Sequence, residues 1–494
     1  MKSVSRIKKV SWVFAILILL GQSVVFADAP SDISSALDNM KQEMLAMQKT
    51  LEQQNLRIQQ LESKKVLESA QPSVPMQSSA AQSLTENDWQ KGIKDNIGEA
   101  IPWLKGAKFA GDFRLRYEYF DFYDFHPDAG TAQDRSRNRF RIRLRWGFEK
   151  DYGDDWKVGF RLATGSTTDQ TSTNQTLGNP GYFNFKSFNI EKAFVSYTPN
   201  GLKDYGAVKG VKIAAGKTDN PFLRYSTPIV WDGDVTPEGL YEQATVQLLN
   251  TEETKVNIYA TAGQFILNEN TGTDSDAQVY GYQAALNTST YKWGDGNMPV
   301  DLTAALSWYQ YNNWFQTVNN NSAATNYLRT NSLMADDFGI LDFYPEVQFY
   351  VKDKPVTLWV NLVKNMDNVG SDDPRALGND IHDADGAWGA GFKVGKIKNK
   401  GDIEGFYGYY EIGANAVVAA FSDSDFGGPG AAGYTNRKGH KFGLSYGLTK
   451  DATLAWTGYV VEPLNPFNGN AITGLQNSTN ENVFRSQIDL VFKF

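Results

Sequence analysis

The sequence predicts an all-β transmembrane fold, an antiparallel outer-membrane β-barrel of about 16 strands preceded by a short N-terminal α-helical coiled coil. Three observations support this prediction. From about Ala107 to the last residue, apolar and polar side chains alternate with a period of two. The connections between these alternating segments are short and long in turn. A heptad repeat lies nearer the N-terminus.

Composition narrows the possible classes. A chain of 494 residues with a net charge of −8 does not favour nucleic acid as a partner, because the phosphate backbone attracts basic proteins. The absence of cysteine excludes disulfides, thiolate metal sites and a lipoprotein anchor. The abundance of tyrosine, phenylalanine, tryptophan and glycine is typical of strands and turns.

Residues 1–27 predict a signal peptide. A basic start is followed by the apolar run "VSWVFAILILLGQSVV" and by small residues that end at Ala27. The mature chain is therefore expected to begin at Asp28. An uncleaved membrane anchor is the alternative, but the apolar run is short for a transmembrane helix.

Residues 28–66 predict a periplasmic coiled coil. Apolar residues recur at alternating steps of four and three, with one polar residue, Gln54, on the seam. One helix cannot bury such a seam, so we expect self-association; a single amphipathic helix packed on its own protein is the alternative. The seam residues are Ile33, Leu37, Met40, Met44, Met47, Leu51, Ile58 and Leu61.

Residues 67–106 predict a linker and a short helical segment. The Ser/Gln/Pro-rich stretch "ESAQPSVPMQSSAAQSLTEN" is typical of a flexible linker. A short helix is expected within 88–105, and no function follows from it.

The barrel is predicted to occupy residues 107–494. In "GDFRLRYEYF" the aromatic and apolar residues fall on one face and the charged residues on the other. The stretch "RSRNRFRIRLR" has arginine at every odd position from Arg135 to Arg145. A wide barrel encloses water, so its inward face tolerates these charges while the outward face must suit lipid.

The connections also fit a barrel in the outer membrane. Short connectors such as "DYGDD" and "DK" alternate with long polar ones such as "MDNVGSDDPRALGNDIHDAD". An even strand number with both ends of the barrel on the short-turn side satisfies this asymmetry, and closure leaves no unpaired edge in lipid. Aromatic residues near strand ends, which would form interfacial girdles, include Trp146, Phe148, Tyr152, Trp156, Phe492 and Phe494.

Several segments resemble the putative porin family of Gram-negative bacteria. They are "GDFRLRYEYF", "RSRNRFRIRLRWGFEKDYGDDWKVGFRLATGS", "IVWDGDVTPEGL", "GANAVVAAFSDSDFGG", "GHKFGLSYGLTKDATL" and "SQIDLVFKF". The resemblance implies a trimeric general-diffusion channel in the cell outer membrane, with the N-terminal heptads similar to periplasmic coiled coils of some trimeric porins. It implies no solute.

Phe492 and Phe494 are similar to the C-terminal signal that the barrel assembly machinery recognises. The expected partners are thus outer-membrane lipid, two further copies of the chain and this machinery. Peptidoglycan or periplasmic proteins are further candidate partners through the coiled coil.

The inward face is predicted to carry a basic wall along the pore. The alternative is that some of these residues only neutralise Asp112 and Glu118 across the strand pair or hold a loop in place. The members of the basic wall are Arg114, Arg116, Arg139, Arg141, Arg143, Arg145, Lys157 and Arg161.

The connector "TDNPFLRYSTPIVWDGDVTPEG" is the third long loop and the candidate constriction. In sixteen-stranded porins this loop folds inward, so the resemblance implies the same here. A loop that stays outside the barrel is the alternative. Its charged residues are Asp219, Arg224, Asp232, Asp234 and Glu238.

Other chemistry is not indicated. His126, His382 and His440 share no predicted strand, and no serine or carboxylate partner is marked, so no enzyme is expected. No cofactor or metal is expected either, because "FSDSDFGG" and "NDIHDADGAWG" lack EF-hand spacing and are interpreted as solvated acidic loops. Passive diffusion of ions and small hydrophilic solutes is the predicted function. A solute-selective channel, or an adhesin or envelope tether with incidental conductance, is the alternative.

Overall fold

The computed structural model describes residues 105–123, 135–224, 227–270, 276–293, 298–313, 338–367, 385–413, 415–427, 435–464 and 482–494. The predictions for the signal peptide, the coiled-coil seam and the linker lie outside these residues. No helix in the described part of the chain is long and apolar enough to cross a membrane.

Seventeen strands form the described structure. They are β1 (Lys108–Tyr123), β2 (Arg135–Tyr152), β3 (Trp156–Thr164), β4 (Gln175–Thr176), β5 (Phe188–Tyr197), β6 (Val208–Lys217), β7 (Glu238–Asn250), β8 (Thr254–Asn268), β9 (Ala277–Trp293), β10 (Met298–Asn312), β11 (Phe338–Val351), β12 (Lys354–Asn365), β13 (Gly386–Gly395), β14 (Ile403–Ile412), β15 (Arg437–Gly447), β16 (Ala452–Pro463) and β17 (Asn482–Lys493).

Sixteen of these strands close an antiparallel barrel. Each pairs with the next along the chain, and β17 pairs with β1, with Leu115 opposite Leu490. The two-residue strand β4 pairs only with β2, at Arg141 and Ile142, while β3 itself pairs with β2 and β5. Strand β4 is therefore part of a loop, and the predicted closed barrel of about 16 strands is confirmed.

The two ends of the barrel differ as predicted. The connectors 153–155, 251–253 and 352–353 are tight turns at one end, while 165–187 and 218–237 are long loops at the other. At the short-turn end the peptide groups of Gly111 and Phe494 exchange hydrogen bonds of 2.8 and 3.1 Å. A Cβ added at Gly111 would lie 2.6 Å from the Phe494 ring, so glycine gives the terminal aromatic ring its place beside β1.

The two faces of the wall separate by residue type. On β1 the charged residues Arg116 and Glu118 point inward and are buried, whereas Phe113 and Leu115 point outward and are exposed. On β2 Phe140 is 54% exposed on the outer face, between arginines that face inward. This alternation is what a lipid-facing wall around a polar lumen requires.

The strand that precedes the buried segment of the seventh long connection does not extend beyond Ile412. Strand β14 ends there, and the chain turns inward at Gly413. Ala416–Ala420 are buried in the principal hydrophobic cluster, with a short 3₁₀ turn at Ala419–Phe421. A short apolar run looks the same in sequence whether it forms a strand or packs as a buried loop.

Candidate functional site

Three long loops meet inside the barrel. We name them L2 (165–187), L3 (218–237) and L7 (413–436), of which the structure describes 165–187, 218–224, 227–237, 413, 415–427 and 435–436. The Asp232 N–H of L3 donates to the Phe421 carbonyl of L7 at 2.6 Å. The Gln170 side chain of L2 donates to the Ala420 carbonyl of L7 at 2.7 Å. The loops therefore hold one another across the lumen.

One side of the lumen is apolar. Trp231 of L3 is 2% exposed, with ring centroids 5.5 Å from Tyr309 and 5.4 Å from Phe421. Phe222, also of L3, packs edge-on against Tyr309 at 5.0 Å. Because Tyr309 and Tyr311 both face inward from β10, these contacts place L3 against the inner wall. We call this set of contacts the aromatic side.

The opposite side carries the ion pairs of β1 and β2. Arg143 lies 2.6 Å from Asp112, and Arg139 pairs with Glu118. Both carboxylates lie on the neighbouring strand β1. The register places Arg139 opposite Glu118, and it places Arg143 opposite Arg114, which is two residues from Asp112 on the same face of the strand. This is the cross-strand neutralisation that the sequence analysis gave as an alternative for part of the basic wall.

Arg145 extends the charged side to the loops. Its guanidinium is 2.8 Å from Glu191 of β5 and 2.7 Å from Asp234 of L3. The same Asp234 carboxylate accepts the N–H and hydroxyl of Thr173 in L2. Arg145 and Asp234 therefore join the wall, L2 and L3, and we call the ion pairs around them the charged side.

Arg485 of β17 was missed as a site residue. It pairs with Glu118 and lies 2.6 Å from Asp425 of L7. Arg116 binds Asp489 with two hydrogen bonds of 2.7 and 2.8 Å and reaches Asp425 at 3.1 Å. The predicted closure of the barrel could have indicated Arg485, because closure places the inward residues of the last strand beside those of the first.

The other residues of the predicted basic wall are placed as follows. Lys157 pairs with Glu149 at 3.0 Å near the short-turn end, and Arg161 pairs with Glu191. Arg141 lies 3.8 Å from Glu118 and donates to Ser172 at 3.3 Å. Arg114 donates to the Asn174 amide oxygen, and no ion pair of its own occurs in the described residues.

The predicted constriction residues separate into two sets. Asp232 is buried against L7, where it accepts the Ser424 N–H, whereas Asp234 is held by Arg145 of the wall and by Thr173 of L2. The side chains of the other three are more than a third exposed: Asp219 pairs with Lys192, Arg224 with Glu346 at 2.7 Å, and Glu238, the first residue of β7, with Lys217 at 2.7 Å.

The buried carboxyl groups have opposite pKa shifts. Burial, with Asp423 and Asp234 nearby, raises the pKa of Asp232 well above its ordinary value. Burial opposes the ionised form of Asp234 too, but Arg145 and Arg143 hold the pKa of Asp234 below its ordinary value. The Asp232 carboxylate oxygens accept N–H groups of Asp234 at 2.7 Å and Ser424 at 3.2 Å.

The expectation of solvated acidic residues in "FSDSDFGG" is wrong. Asp423 is 9% exposed and lies 2.8 Å from Lys441 of β15, and Asp425 is held by Arg485 and Arg116. Arg116 and Arg485 lie far from Asp425 in the sequence. Lys441 follows Asp423 by only 18 residues, but it contacts Asp423 only because L7 folds inward, so the stretch alone did not indicate these partners. No cluster of three or more histidine, aspartate or glutamate side chains in the described ranges could hold a metal ion.

Two cavities lie among these loops. One of about 170 Å³ is lined by polar and charged residues of β1, L2, L3, L7 and β15, among them Arg114, Asp232 and Lys441. A larger one of about 790 Å³ has Trp231 and Phe265 among its apolar residues and the hydroxyls of L2 among its polar ones. The lumen thus keeps open space beside these loops.

A closed barrel with an apolar outer face and a charged lumen defines a porin-type channel of the outer membrane. The chain matches the sequence model of the family described as "Putative porin" over residues 123–334 and 315–462. It belongs to that family, and the resemblance noted in the sequence is confirmed. No protein of curated function matches the chain.

Solved outer-membrane barrels are similar in fold. The outer membrane channel DcaP of Acinetobacter baumannii aligns at 16% identity over 78% of this chain and 97% of that chain, with a TM-score of 0.39. Pseudomonas putida OprB aligns at 10% identity over 85% and 100%, with a TM-score of 0.44. The trimer form of Vibrio cholerae OmpT aligns at 10% identity over 78% and 99%, with a TM-score of 0.39. These similarities are too low to indicate a solute.

Proposed function

We propose that the barrel is a water-filled channel for passive diffusion of ions and small hydrophilic solutes across the outer membrane. The observation that carries this proposal is a charged lumen that retains cavities where L2, L3 and L7 meet. Concentration supplies the driving force, and fixed charge and width set what passes.

L3 and L7 together form the constriction in this proposal. L3 is held on the aromatic side by Trp231 and on the charged side by Asp234. A loop fixed at both sides keeps its position as solutes pass, because neither side can move without losing buried contacts. The channel is therefore expected to conduct in steady open steps, with a width set by these loops.

The paired charges favour weak ion selectivity. Most cations of the basic wall have a carboxylate beside them, so their fields cancel in part at the pore axis. Selectivity then depends on the few charges that lack a close partner and on the acidic residues of L3 and L7. A channel that selects one class of solute remains the second candidate, because the 170 Å³ cavity brings many polar groups into a small volume.

We further propose a homotrimer. The single chain leaves Tyr182, Phe183 and Phe185 of L2 fully exposed above the strands, although Leu177 is tied to β2 by a hydrogen bond of 2.8 Å. Three uncovered aromatic rings on an anchored loop suit contact with a second copy of the chain. The coiled coil 28–66 would join the same copies on the periplasmic side, where contact with peptidoglycan or periplasmic proteins is also proposed.

The C-terminal residues fit recognition by the barrel assembly machinery. Phe492 and Phe494 are both exposed on the last residues of the barrel, and the peptide group of Phe494 pairs with Gly111. We propose that the barrel assembly machinery recognises these rings before β17 pairs with β1. Afterwards they would lie at the membrane interface, where aromatic rings are favoured.

Planar-bilayer recording of the purified protein tests the channel. Stable openings in steps of three would support a trimeric diffusion channel, and a non-conducting barrel would contradict it and favour a tether or adhesin. Deleting residues 32–65 is expected to lower the temperature at which trimers dissociate in detergent while single barrels stay folded. An unchanged dissociation temperature would assign the trimer to the barrel walls alone.

A further inference from the structure

Arg114 differs from every other member of the basic wall. The other seven each have a carboxylate at 3.8 Å or less. Among the described residues Arg114 has no such partner, and the side-chain acceptor it does have is the neutral amide oxygen of Asn174. A guanidinium in a partly buried position without a counter-ion is costly, so it favours an anion brought from outside.

The carboxylates near Arg114 are already engaged. Asp112 is bound by Arg143, and Asp489 is bound through two hydrogen bonds by Arg116. Asp234 of L3 is bound by Arg145. Each of these carboxylates forms an ion pair with another arginine and none with Arg114, so Arg114 keeps a charge that no ion pair neutralises.

Arg114 lines the 170 Å³ cavity, which gives an anion space to bind. Its volume of about 170 Å³ is well above the ~10–15 Å³ that a single water needs in the same measure, so the cavity has room for a small anion. The Ser172 hydroxyl adds a donor, because its oxygen accepts from Arg141 and Asn174 and its own proton is left to donate. The Thr171 and Thr227 hydroxyls in the lining already donate to Asp169 and Asn361, and Lys441 is paired with Asp423. A guanidinium with a hydroxyl donor suits the planar oxygens of a carboxylate or the oxygens of phosphate.

Four aspartates also line the cavity, but each has its own donors. Asp234 is bound by Arg145, Asp423 by Lys441, and Asp425 by Arg485 and Arg116. Asp232 accepts two backbone N–H groups, and its raised pKa favours the uncharged form. Repulsion of an entering anion is reduced accordingly, whereas Arg114 keeps an uncancelled charge.

We propose that Arg114 and the Ser172 hydroxyl of L2 form a binding subsite for a small carboxylate or oxyanion within the pore. The subsite rests on the proposed channel function and deepens it, since a bound anion would occupy the path between L2, L3 and L7. Binding would be brief, because the ligand must leave for transport to continue.

The test is single-channel conductance against concentration in potassium acetate and in potassium phosphate. A binding subsite makes the conductance saturate. Arg114→Gln is expected to raise the half-saturating concentration at least about tenfold, the scale of one charge-assisted hydrogen bond. Lys450→Gln, which removes an equally charged but exposed residue from the short turn 448–451, is the matched control and should leave saturation unchanged.

Asn174→Asp supplies a second, nearly isosteric variant. It places a carboxylate where Arg114 now has an amide oxygen, so the added charge should compete with acetate and raise half-saturation as Arg114→Gln does. If Arg114→Gln fails to show the heat-dependent gel migration of a folded barrel, Asn174→Asp alone tests the subsite. Unchanged saturation in either folded variant would overturn the subsite.

Failure of the subsite and of the channel give different results. A wild-type protein that conducts in potassium chloride but shows linear conductance in acetate and phosphate would refute the subsite and leave the channel standing. A wild-type protein that conducts in no salt would refute both.

Discussion

The aromatic side and the charged side of the lumen hold the same loop by different physics. On the aromatic side Trp231 is enclosed by Tyr309, Tyr311 and Phe421, and its contacts are non-directional and insensitive to salt. On the charged side Asp234 is held by Arg145, in contacts that depend on geometry and protonation. We infer that the two sides make different contributions: both hold L3, but the aromatic contacts contribute most to where L3 lies, and the ion pairs contribute most to the charge that it presents.

The magnitudes support this division. Burial of a large aromatic side chain stabilises mainly through the apolar area removed from water, and the buried N–H of Trp231 opposes this only in part. A buried ion pair loses much of its attraction to the desolvation of both partners. Breaking either is costly, but replacing both partners of an ion pair by neutral groups is often tolerated. Variants that act on one side at a time can therefore test whether the two sides make these different contributions.

The largest effect is expected from Trp231→Ala. Removing this buried ring should cost about 3–5 kcal/mol of folding free energy and release L3 from β10. Larger and noisier single-channel conductance is expected, together with a lower melting temperature. Trp156→Ala is the control, because Trp156 is half exposed on the outer face at the short-turn end. If Trp231→Ala conducts as the wild type does, the aromatic side does not fix the loop.

The next effect concerns ion preference. Replacing Arg141, Arg143 and Arg145 together by glutamine removes three cations and leaves their carboxylates in the lumen. The reversal potential in a potassium chloride gradient should shift toward cation preference, most strongly at low salt, where screening is weakest. Asp232→Asn with Asp234→Asn should shift it the other way. Unchanged selectivity in the triple variant, with conductance retained, would leave these arginines a structural role alone.

The sequence predicted the barrel better than its interior. Strand number, closure and the inward direction of the arginines followed from the period of two, because that pattern is local and repeated along every strand. The partners of Asp423 and Asp425 in L7 were not predictable. Arg485 is distant in sequence from Asp425, and Lys441, on the next strand, contacts Asp423 only because L7 folds into the barrel. Loop conformations depend on such long-range contacts and leave no period in the sequence.

A smaller effect is expected from pH, through Asp232. Its pKa is raised by burial and by Asp423, Asp234 and Asp425, so the uncharged form favours the packed loops and that stability is lost as pH rises through the raised value. Asp234 shifts in the opposite direction and loses its stabilising charge only in strong acid. Conductance noise should thus increase as the pH rises above the raised pKa of Asp232. Asp232→Asn should remove this dependence, and its persistence in that variant would exclude Asp232 as the cause.

The smallest effect is expected from the Arg143–Asp112 ion pair, whose net charge and position can be varied separately. Arg143 and Asp112 lie side by side, so replacing Arg143 alone by glutamine leaves one negative charge without its partner. Replacing both residues by neutral amides leaves the net charge of the lumen unchanged. Across a water-filled gap of ~10 Å a unit charge contributes only about 0.4 kcal/mol before screening. Arg143→Gln should therefore shift the reversal potential by a small amount toward cations, and the double variant with Asp112→Asn should restore it. If the double variant remains shifted, the pair acts through the position of neighbouring groups, and the charged side also helps to fix the loops.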